Sequence, residues 1–391
     1  MKRAVNIEDL RRRARSRLPR VVFDYLDGAA EDEITLTANR RGFQSIQLVP
    51  RILGGGTADL STQILGHRYA APFLIGPTGL NGIYWPQGDL HLARAAADAG
   101  VGFALSTASN MSMEAISAQV DGPKWFQLYP WGKPDFSKSL LDRARAAGYS
   151  ALIITLDSLV GGKRERDLRH GFSHEIRMSA PVVLDGLMHP GWLASVWLGR
   201  SRPRFENLVA FLGDGASDKE LADFTRSQRN PHFSWEDVRR IRRQWDGPLL
   251  IKGVMCAEDA LRARQEGADG VIISNHGGRQ LDGAPATISV LEEIAGCLDD
   301  GATVLLDGGI RRGSDVVKAL ALGAQGVLLG RATLYGLAAG GYDGVARALS
   351  MLADEMQRTM IFTGCGSTDD LGPHNIARPC RERDRASPER E

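Results

Sequence analysis

Hydrophobic positions along the chain fall into three regimes. Over residues 6–41 they recur at helical spacing. A helix capped by Asn6 or Asp9 runs through an arginine-rich stretch to Arg17, where Leu18-Pro19 breaks it. A second begins near Arg20, carries Phe23, Tyr25 and Leu26, and stops at Asp27-Gly28; a third is predicted over 31–41. Residues 45–66 read as irregular β structure, with Gly54-Gly55-Gly56 as a loop. From residue 72 onward short apolar runs alternate with amphipathic ones. The runs cover 72–76, 101–106, 125–129 and 151–156, then 248–252, 270–274, 303–307 and 326–330. Helical period fills 89–99, 136–147, 257–266 and 313–322. Apolar strands alternating with helices mean parallel strands buried on both faces. Eight of them predict an α/β fold, a closed (β/α)8 TIM barrel, with an open doubly wound sheet as the alternative.

The rhythm breaks once, over 160–234, a gap far longer than the ~2–6 residues of an ordinary βα loop. A long insertion therefore follows the fourth strand, on the face where the strands' C-terminal ends emerge. The expected organisation is a single domain over 1–391. It comprises an N-terminal helical and β cap (1–66), a barrel (67–365) carrying the insertion or lid (160–234), and a polar, flexible tail (366–391).

Composition narrows the partners. The 391 residues are 43% hydrophobic and 24% charged, ordinary for a soluble globular protein. A net charge of +1 provides no field that would attract nucleic acid, so no nucleic-acid partner is expected. Cys256, Cys297, Cys365 and Cys380 form no C-x-x-C pair and no zinc spacing. They read as reduced structural thiols on the cytoplasmic side, with no metal. The N-terminus turns acidic at Glu8-Asp9 before any apolar run, unlike a signal peptide, and no stretch approaches the ~18 apolar residues of a spanning helix.

In such a barrel, chemistry is sought at strand C-termini. Here those ends are Thr78-Gly79, Ser106-Thr107, Gln127-Tyr129, Thr155-Asp157, Lys252, Ser274-Asn275-His276, Asp307-Gly308-Gly309 and Gly330-Arg331. One polar residue closing a strand is ordinarily a cap or turn; eight ends of this kind mark a functional face. The last two ends, Asp307-Gly308-Gly309-Ile310-Arg311 and Gly330-Arg331, lie where barrels commonly hold a phosphate on glycine-exposed N–H groups and a helix N-terminus. Arg331 adds a charge-assisted contact. The segment 274–282 is the sharpest: His276 is followed by two glycines, which permit close approach of a planar ligand, and then by Arg279, which can meet a carboxylate. No G-x-G-x-x-G follows a strand, which argues against NAD.

Further segments join these: Phe23-Asp24-Tyr25 with Ala30-Glu31-Asp32, Phe126-Gln127-Leu128-Tyr129, Arg164-Glu165-Arg166-Asp167 and Lys252-Gly253. In this order, over 5–363, the chain resembles the FMN-dependent 2-hydroxy acid oxidases and dehydrogenases. Gly76-Pro77-Thr78-Gly79-Leu80-Asn81-Gly82, Ser106-Thr107-Ala108-Ser109-Asn110-Met111-Ser112 and Val183-Leu184-Asp185-Gly186 are similar to the mandelate dehydrogenase branch of that family.

The resemblance implies FMN and a small L-2-hydroxy acid oxidised to the 2-oxo acid. It makes His276 the base, with Asp157 stabilising the imidazolium that forms. It places the substrate carboxylate on Arg164 and Arg279, and gives Tyr25 and Tyr129 as hydroxyls toward the substrate; packing in a helix core is the other reading of Tyr25. Lys252 is implied beside the flavin N1–C2=O edge, Pro77, Thr78 and Gly79 along the ring, and Ser106, Gln127, Thr155 and Ser274 on the isoalloxazine and ribityl groups. Asp307 belongs to the implied cofactor set, with the phosphate on Gly309, Arg311, Gly330 and Arg331. Ala108 and Gly161 stand where glycolate-preferring relatives carry larger side chains, which leaves room for an aryl ring and points to mandelate. Lys163 departs from the aromatic expected there.

Within the insertion, over about 187–212, Trp192, Leu193, Val196, Trp197 and Leu198 precede Arg200, Arg202 and Arg204. This pattern suits a peripheral contact with the inner face of the cell membrane, and hence a quinone acceptor; a lid or a subunit contact is the alternative. The resemblance also implies a homotetramer. An L-lactate dehydrogenase or an O2-using oxidase of the same family is the alternative function.

Overall fold

The computed structural model describes residues 3–53, 56–172, 179–199, 204–213, 220 and 230–377. The chain opens with α1 (Ile7–Arg17), capped by Asn6, whose Oδ1 accepts from Asp9 N at 2.8 Å. Next come α2 (Arg20–Asp27) and α3 (Ile34–Ser45). α3 starts later than its periodicity suggests because Glu31 and Glu33 adopt left-handed backbone angles, φ 44° and 61°. The Asp282 carboxylate then caps the helix from a distant loop, accepting from Asp32 N, Ile34 N and Thr35 N. A short antiparallel hairpin, β1 (Thr62–Ile64) and β2 (His67–Tyr69), supplies the β structure expected before the barrel.

Eight parallel strands close the barrel, as the apolar runs predict. They are β3 (Phe73–Ile75), β4 (Gly102–Ser106), β5 (Lys124–Leu128), β6 (Ala151–Thr155), β7 (Leu249–Val254), β8 (Gly270–Ile273), β9 (Thr303–Leu306) and β10 (Gly326–Leu329), with β10 pairing back to β3. Alternation along each strand sends one set of side chains inward and the other toward the helices. Leu74, Ala104, Trp125, Ile153, Leu250, Ile272, Leu305 and Leu328 fill the interior. Their neighbours, such as Phe73, Leu105, Phe126 and Leu152, pack against the helical shell. Helices that the sequence reading did not name include Trp235–Arg242, Thr287–Cys297, and Arg331–Thr363, whose glycine-rich middle masks its period. The latter is kinked at Gly340 and Gly341, where any side chain on Gly341 would strike Trp85.

Two expectations need correction. The segment 366–377, read as the start of a flexible tail, makes specific contacts. It forms turns at Thr368–Asp370 and Pro373–Asn375, buries Asn375, and pairs Ile376 with Leu48 and Ser367 with Asp59. The rest of the expected tail lies outside the described residues. In the insertion, Trp192 and Val196 are buried, the indole Nε1 donating to Ile83 O at 2.7 Å, so neither offers an anchor to lipid. Among the described residues of the insertion, the exposed large apolar side chains are Val160, Leu168, Val183, Leu184, Leu187, Met188, Leu198 and Leu212. Arg200 and Arg202, and the side chain of Trp197, lie outside the described residues.

Candidate active site

One step beyond the last inward apolar residue of each strand stands a polar or glycine layer: Gly76, Ser106, Gln127, Thr155, Lys252, Ser274, Asp307 and Gly330. Lys252 anchors it. It is buried, with Nζ donating to Ser274 Oγ at 2.7 Å and lying 3.2 Å from Asp307 Oδ2 and 3.7 Å from Asp157 Oδ2. Burial pulls its pKa down, but the two carboxylates outweigh burial and hold it above the ordinary lysine value, so the cation is permanent.

Asp157 faces His276, with Oδ1 2.8 Å from Nδ1. Burial pushes its pKa up; His276 and Lys252 outweigh that, and it stays ionised below the usual carboxylate range. A carboxylate has no proton to give, so Nδ1 carries the hydrogen and Nε2 is left as the basic nitrogen. The backbone of His276 is left-handed, φ 56°, followed by Gly277 at 65° and Gly278 at 78°. Both glycines also meet close contacts from within the protein. A Cβ on Gly278 would lie 2.7 Å from Leu36 N in α3, and one on Gly277 2.6 Å from Arg331 Nη1. These close contacts lock the histidine turn against the cap.

Across from His276 the cap supplies Tyr25. Its ring stacks on Phe172 at 4.2 Å, with Arg279 Cζ 4.8 Å and Arg164 Cζ 5.9 Å from its centroid. Both readings of Tyr25 therefore have a counterpart, since it packs and also lines the cavity. Arg279 Nη1 donates to Tyr25 O and Gly28 O, and Arg164 Nε to Asp167 Oδ2 at 2.7 Å. Tyr129 has its pKa pushed up to about 12 by burial and is a neutral hydroxyl.

At the other end, Gly308 and Gly309 are left-handed, φ 91° and 90°, and Gly330 caps the helix Arg331–Thr363. Arg311 Cζ lies 5.4 Å from the Tyr335 ring. Arg331 departs from the simple expectation: its Nε, Nη1 and Nη2 donate to the carbonyls of Leu26, Gly277 and Gly28. Burial first, and then Arg279, depress its pKa, so this end of the site carries positive charge that an anion would relieve.

These groups surround one cavity of about 680 Å³. Pro77, Thr78, Gly79, Ala108 and Gly161 line it as expected, and so do Lys252, Asp307 and Gly309. Ser106, Gln127, Thr155 and Ser274 do not reach its surface. Ser106 Oγ donates to Gln127 Oε1 at 2.9 Å and Ser274 Oγ accepts from Lys252, so both are engaged within the protein. Trp131, Phe205 and Leu208 also line the cavity and were missed in the sequence. No motif marks Phe205 and Leu208; they arrive because the insertion folds back, with Glu206 N donating to Ser109 O.

The model of the FMN-dependent dehydrogenase family matches residues 14–378. The chain belongs to that family. It is 47% identical to (S)-mandelate dehydrogenase of Pseudomonas putida over 370 residues, 94% of this chain and 92% of that protein. It is 39% identical to L-lactate dehydrogenase of Pectobacterium atrosepticum over 376 residues, 96% of this chain and 97% of the relative. The crystal structure of the monotopic membrane protein (S)-mandelate dehydrogenase superposes with a TM-score of 0.93 at 46% identity, covering 96% of this chain and all of the other. The chain is thus an FMN-dependent 2-hydroxy acid dehydrogenase.

The residues fit the cofactor of this family. Gln127 Nε2, Thr155 Oγ1 and Asp307 Oδ1, all in the polar layer at the strands' C-terminal ends, are buried polar atoms without a hydrogen-bond partner. The glycine turn at 308–309 and the helix N-terminus at Gly330 offer backbone N–H groups to a phosphate.

Proposed function

We propose that the protein oxidises (S)-mandelate, or a closely similar aryl 2-hydroxy acid, to the 2-oxo acid. The observation that carries the reading is the pairing of a carboxylate-held histidine with two arginines across one cavity, beside the small side chains of Ala108 and Gly161. When bound, FMN supplies the two-electron acceptor. The groups that would hold it are Pro77, Thr78 and Gly79, the polar layer of Ser106, Gln127, Thr155, Lys252, Ser274 and Asp307, and the phosphate end of Gly309, Arg311, Gly330 and Arg331.

Arg164 and Arg279 bind the substrate carboxylate; their guanidinium planes match it in shape and charge. Tyr25 and Tyr129 present hydroxyls to it. Nε2 of His276 takes a proton from the substrate, and Asp157 stabilises the imidazolium without itself being protonated. Lys252 keeps Asp157 ionised and sets a fixed positive charge under the reacting region. Trp131, Phe205 and Leu208 add apolar surface suited to a ring, worth roughly 1.5–3 kcal/mol when such a group is fully buried.

Electrons pass on to a membrane quinone. The support is the exposed apolar face of the helix Ala180–Leu187, where Leu184 and Leu187 are 61% and 59% exposed. No helix among the described residues is long and apolar enough to cross a membrane, so attachment through the insertion would be peripheral, on the cytoplasmic face. A homotetramer is proposed on family membership alone.

Anaerobic addition of substrate to the purified holoprotein tests the reading. Bleaching of the flavin bands by L-mandelate, faster than by L-lactate or glycolate, is the expected result. Bleaching by L-lactate alone makes this an L-lactate dehydrogenase, as several relatives at 39% identity are called. Peroxide release in air at the turnover rate would replace the quinone with O2.

A further inference from the structure

Beneath the cavity wall lies a buried carboxylate that the proposed chemistry does not use. Asp89, in the first turn of the helix Gly88–Asp98, is 1% exposed. Its Oδ1 accepts from Asn81 Nδ2 at 2.7 Å and its Oδ2 from Asn110 N at 3.0 Å. Among the described residues no cation pairs with it, and burial raises its pKa to about 6. Burying an ionised carboxylate in such a place costs hydration that only its hydrogen bonds offset.

Those bonds lead to both loops that meet at the cavity. On one side, Asn81 Nδ2 also donates to Thr78 O, and Thr78 Oγ1 donates to Asn81 Oδ1. On the other, Asn110 follows Ala108, and its Oδ1 accepts from Gly82 N at 2.8 Å. The loops touch where Leu80 N donates to Ala108 O, and a Cβ on Gly79 would sit 2.9 Å from that of Ala108. Asn110 Nδ2 reaches on to Arg204 O in the insertion. Gly88 allows the helix to sit this close, since a Cβ there would fall 2.4 Å from Asn81 O.

We propose that Asp89 is a positioning residue for the reaction. Its carboxylate clamps the loop carrying Thr78 and Gly79 to the loop carrying Ala108, and so fixes the width of the cavity where cofactor and substrate ring meet. The proposal rests on the reading of this cavity as the active site. Both oxygens accept from N–H donors, so an asparagine in this place turns one acceptor into a donor facing a donor and opens the clamp on one side.

The test uses FMN-loaded Asp89→Asn and Asn110→Ala proteins. Two readouts are needed: the visible circular dichroism of the bound flavin, and the ratio of kcat/KM for L-mandelate over L-lactate. Displacing a cavity wall by a fraction of an ångström is expected to lower that ratio about tenfold in Asp89→Asn, mostly through kcat, and to change the flavin dichroism. Asn110→Ala should move both in the same direction by less. An Asp89→Asn protein with wild-type dichroism and a wild-type ratio, whatever its melting temperature, would make Asp89 merely structural and overturn the proposal. Should Asp89→Asn fail to fold, Asn81→Ala, which takes away the side-chain donor to Asp89 Oδ1, decides by the same readouts. If the wild type oxidises neither acid, the substrate reading falls, and the dichroism of the variants alone decides on the clamp.

Discussion

The cavity has two unlike walls. One is made of strand ends and the cap: Lys252 is buried, Asp157, His276 and Asp307 are half-buried, and the four are linked in a chain through Lys252 and Asp157 and fixed by eight hydrogen-bonded strands. The other is made by the insertion, whose short helices bring Phe205 and Leu208 to the cavity and turn Leu184 and Leu187 outward. The first wall has almost no freedom, because each charge depends on the next. The second is tied on by scattered contacts, such as Trp192 to Ile83 and Asn110 to Arg204. Under the proposed function, proton transfer belongs to the barrel, and choice of ring and location to the insertion.

Breaking the barrel wall should have the largest effects. His276→Asn removes the base while keeping a residue that tolerates left-handed backbone, and turnover should fall by roughly 10³ with FMN still bound, within the range for general-base loss. Residual turnover within about tenfold of wild type would take the base role from His276. Lys252→Met strands Asp157 and Asp307 without their cation, and urea denaturation should show a loss of about 3 kcal/mol.

The cap that completes this wall hangs on Asp27, which receives Arg11 Nε at 2.6 Å and Tyr335 OH at 2.7 Å. Burial raises its pKa, but these partners outweigh burial and bring it down to about 2 from an ordinary 3.8. A depressed carboxylate stabilises the fold above its unfolded value and loses that contribution as pH falls through the folded one. Acid melts should therefore steepen between pH 3.8 and about 2, and Asp27→Asn should lose roughly 2 kcal/mol at neutral pH and flatten in that window.

The insertion wall should give smaller, more selective effects. Phe205→Ala is expected to cut the preference for mandelate over lactate by about tenfold, leaving lactate turnover near wild type. An equal fall for both acids would move Phe205 to the shared chemistry. Last, replacing Leu184 and Leu187 with serine should leave turnover of a soluble acceptor unchanged and abolish pelleting with anionic vesicles. Undiminished pelleting would place any membrane contact elsewhere on the molecule.

The same contrast explains what could be read from sequence. Apolar runs locate all eight strands, because burial on both faces keeps their middles apolar and pushes polar residues toward their ends. It follows that the polar residue closing each run is visible too, and His276, Asp157 and Lys252 emerge at strand ends in mutual contact. Contacts that depend on a fold-back were not legible. Phe205 and Leu208 look like any helical apolar pair, and Trp192 and Val196 look like a lipid anchor although they are buried. Asn81, Asp89 and Asn110 stand in conspicuous polar segments, yet nothing in their spacing says that one carboxylate joins them.

The left-handed turn at His276 has a consequence for mutational scanning. In a saturation library at this position, abundance and activity should rank the substitutions differently. Glycine and asparagine, at ease with a φ of 56°, should be among the best-expressed members, and valine and isoleucine among the worst, while all four should lose most of their turnover. A screen that scores colonies by protein yield would thus favour replacing the one side chain that a screen scoring product would never release.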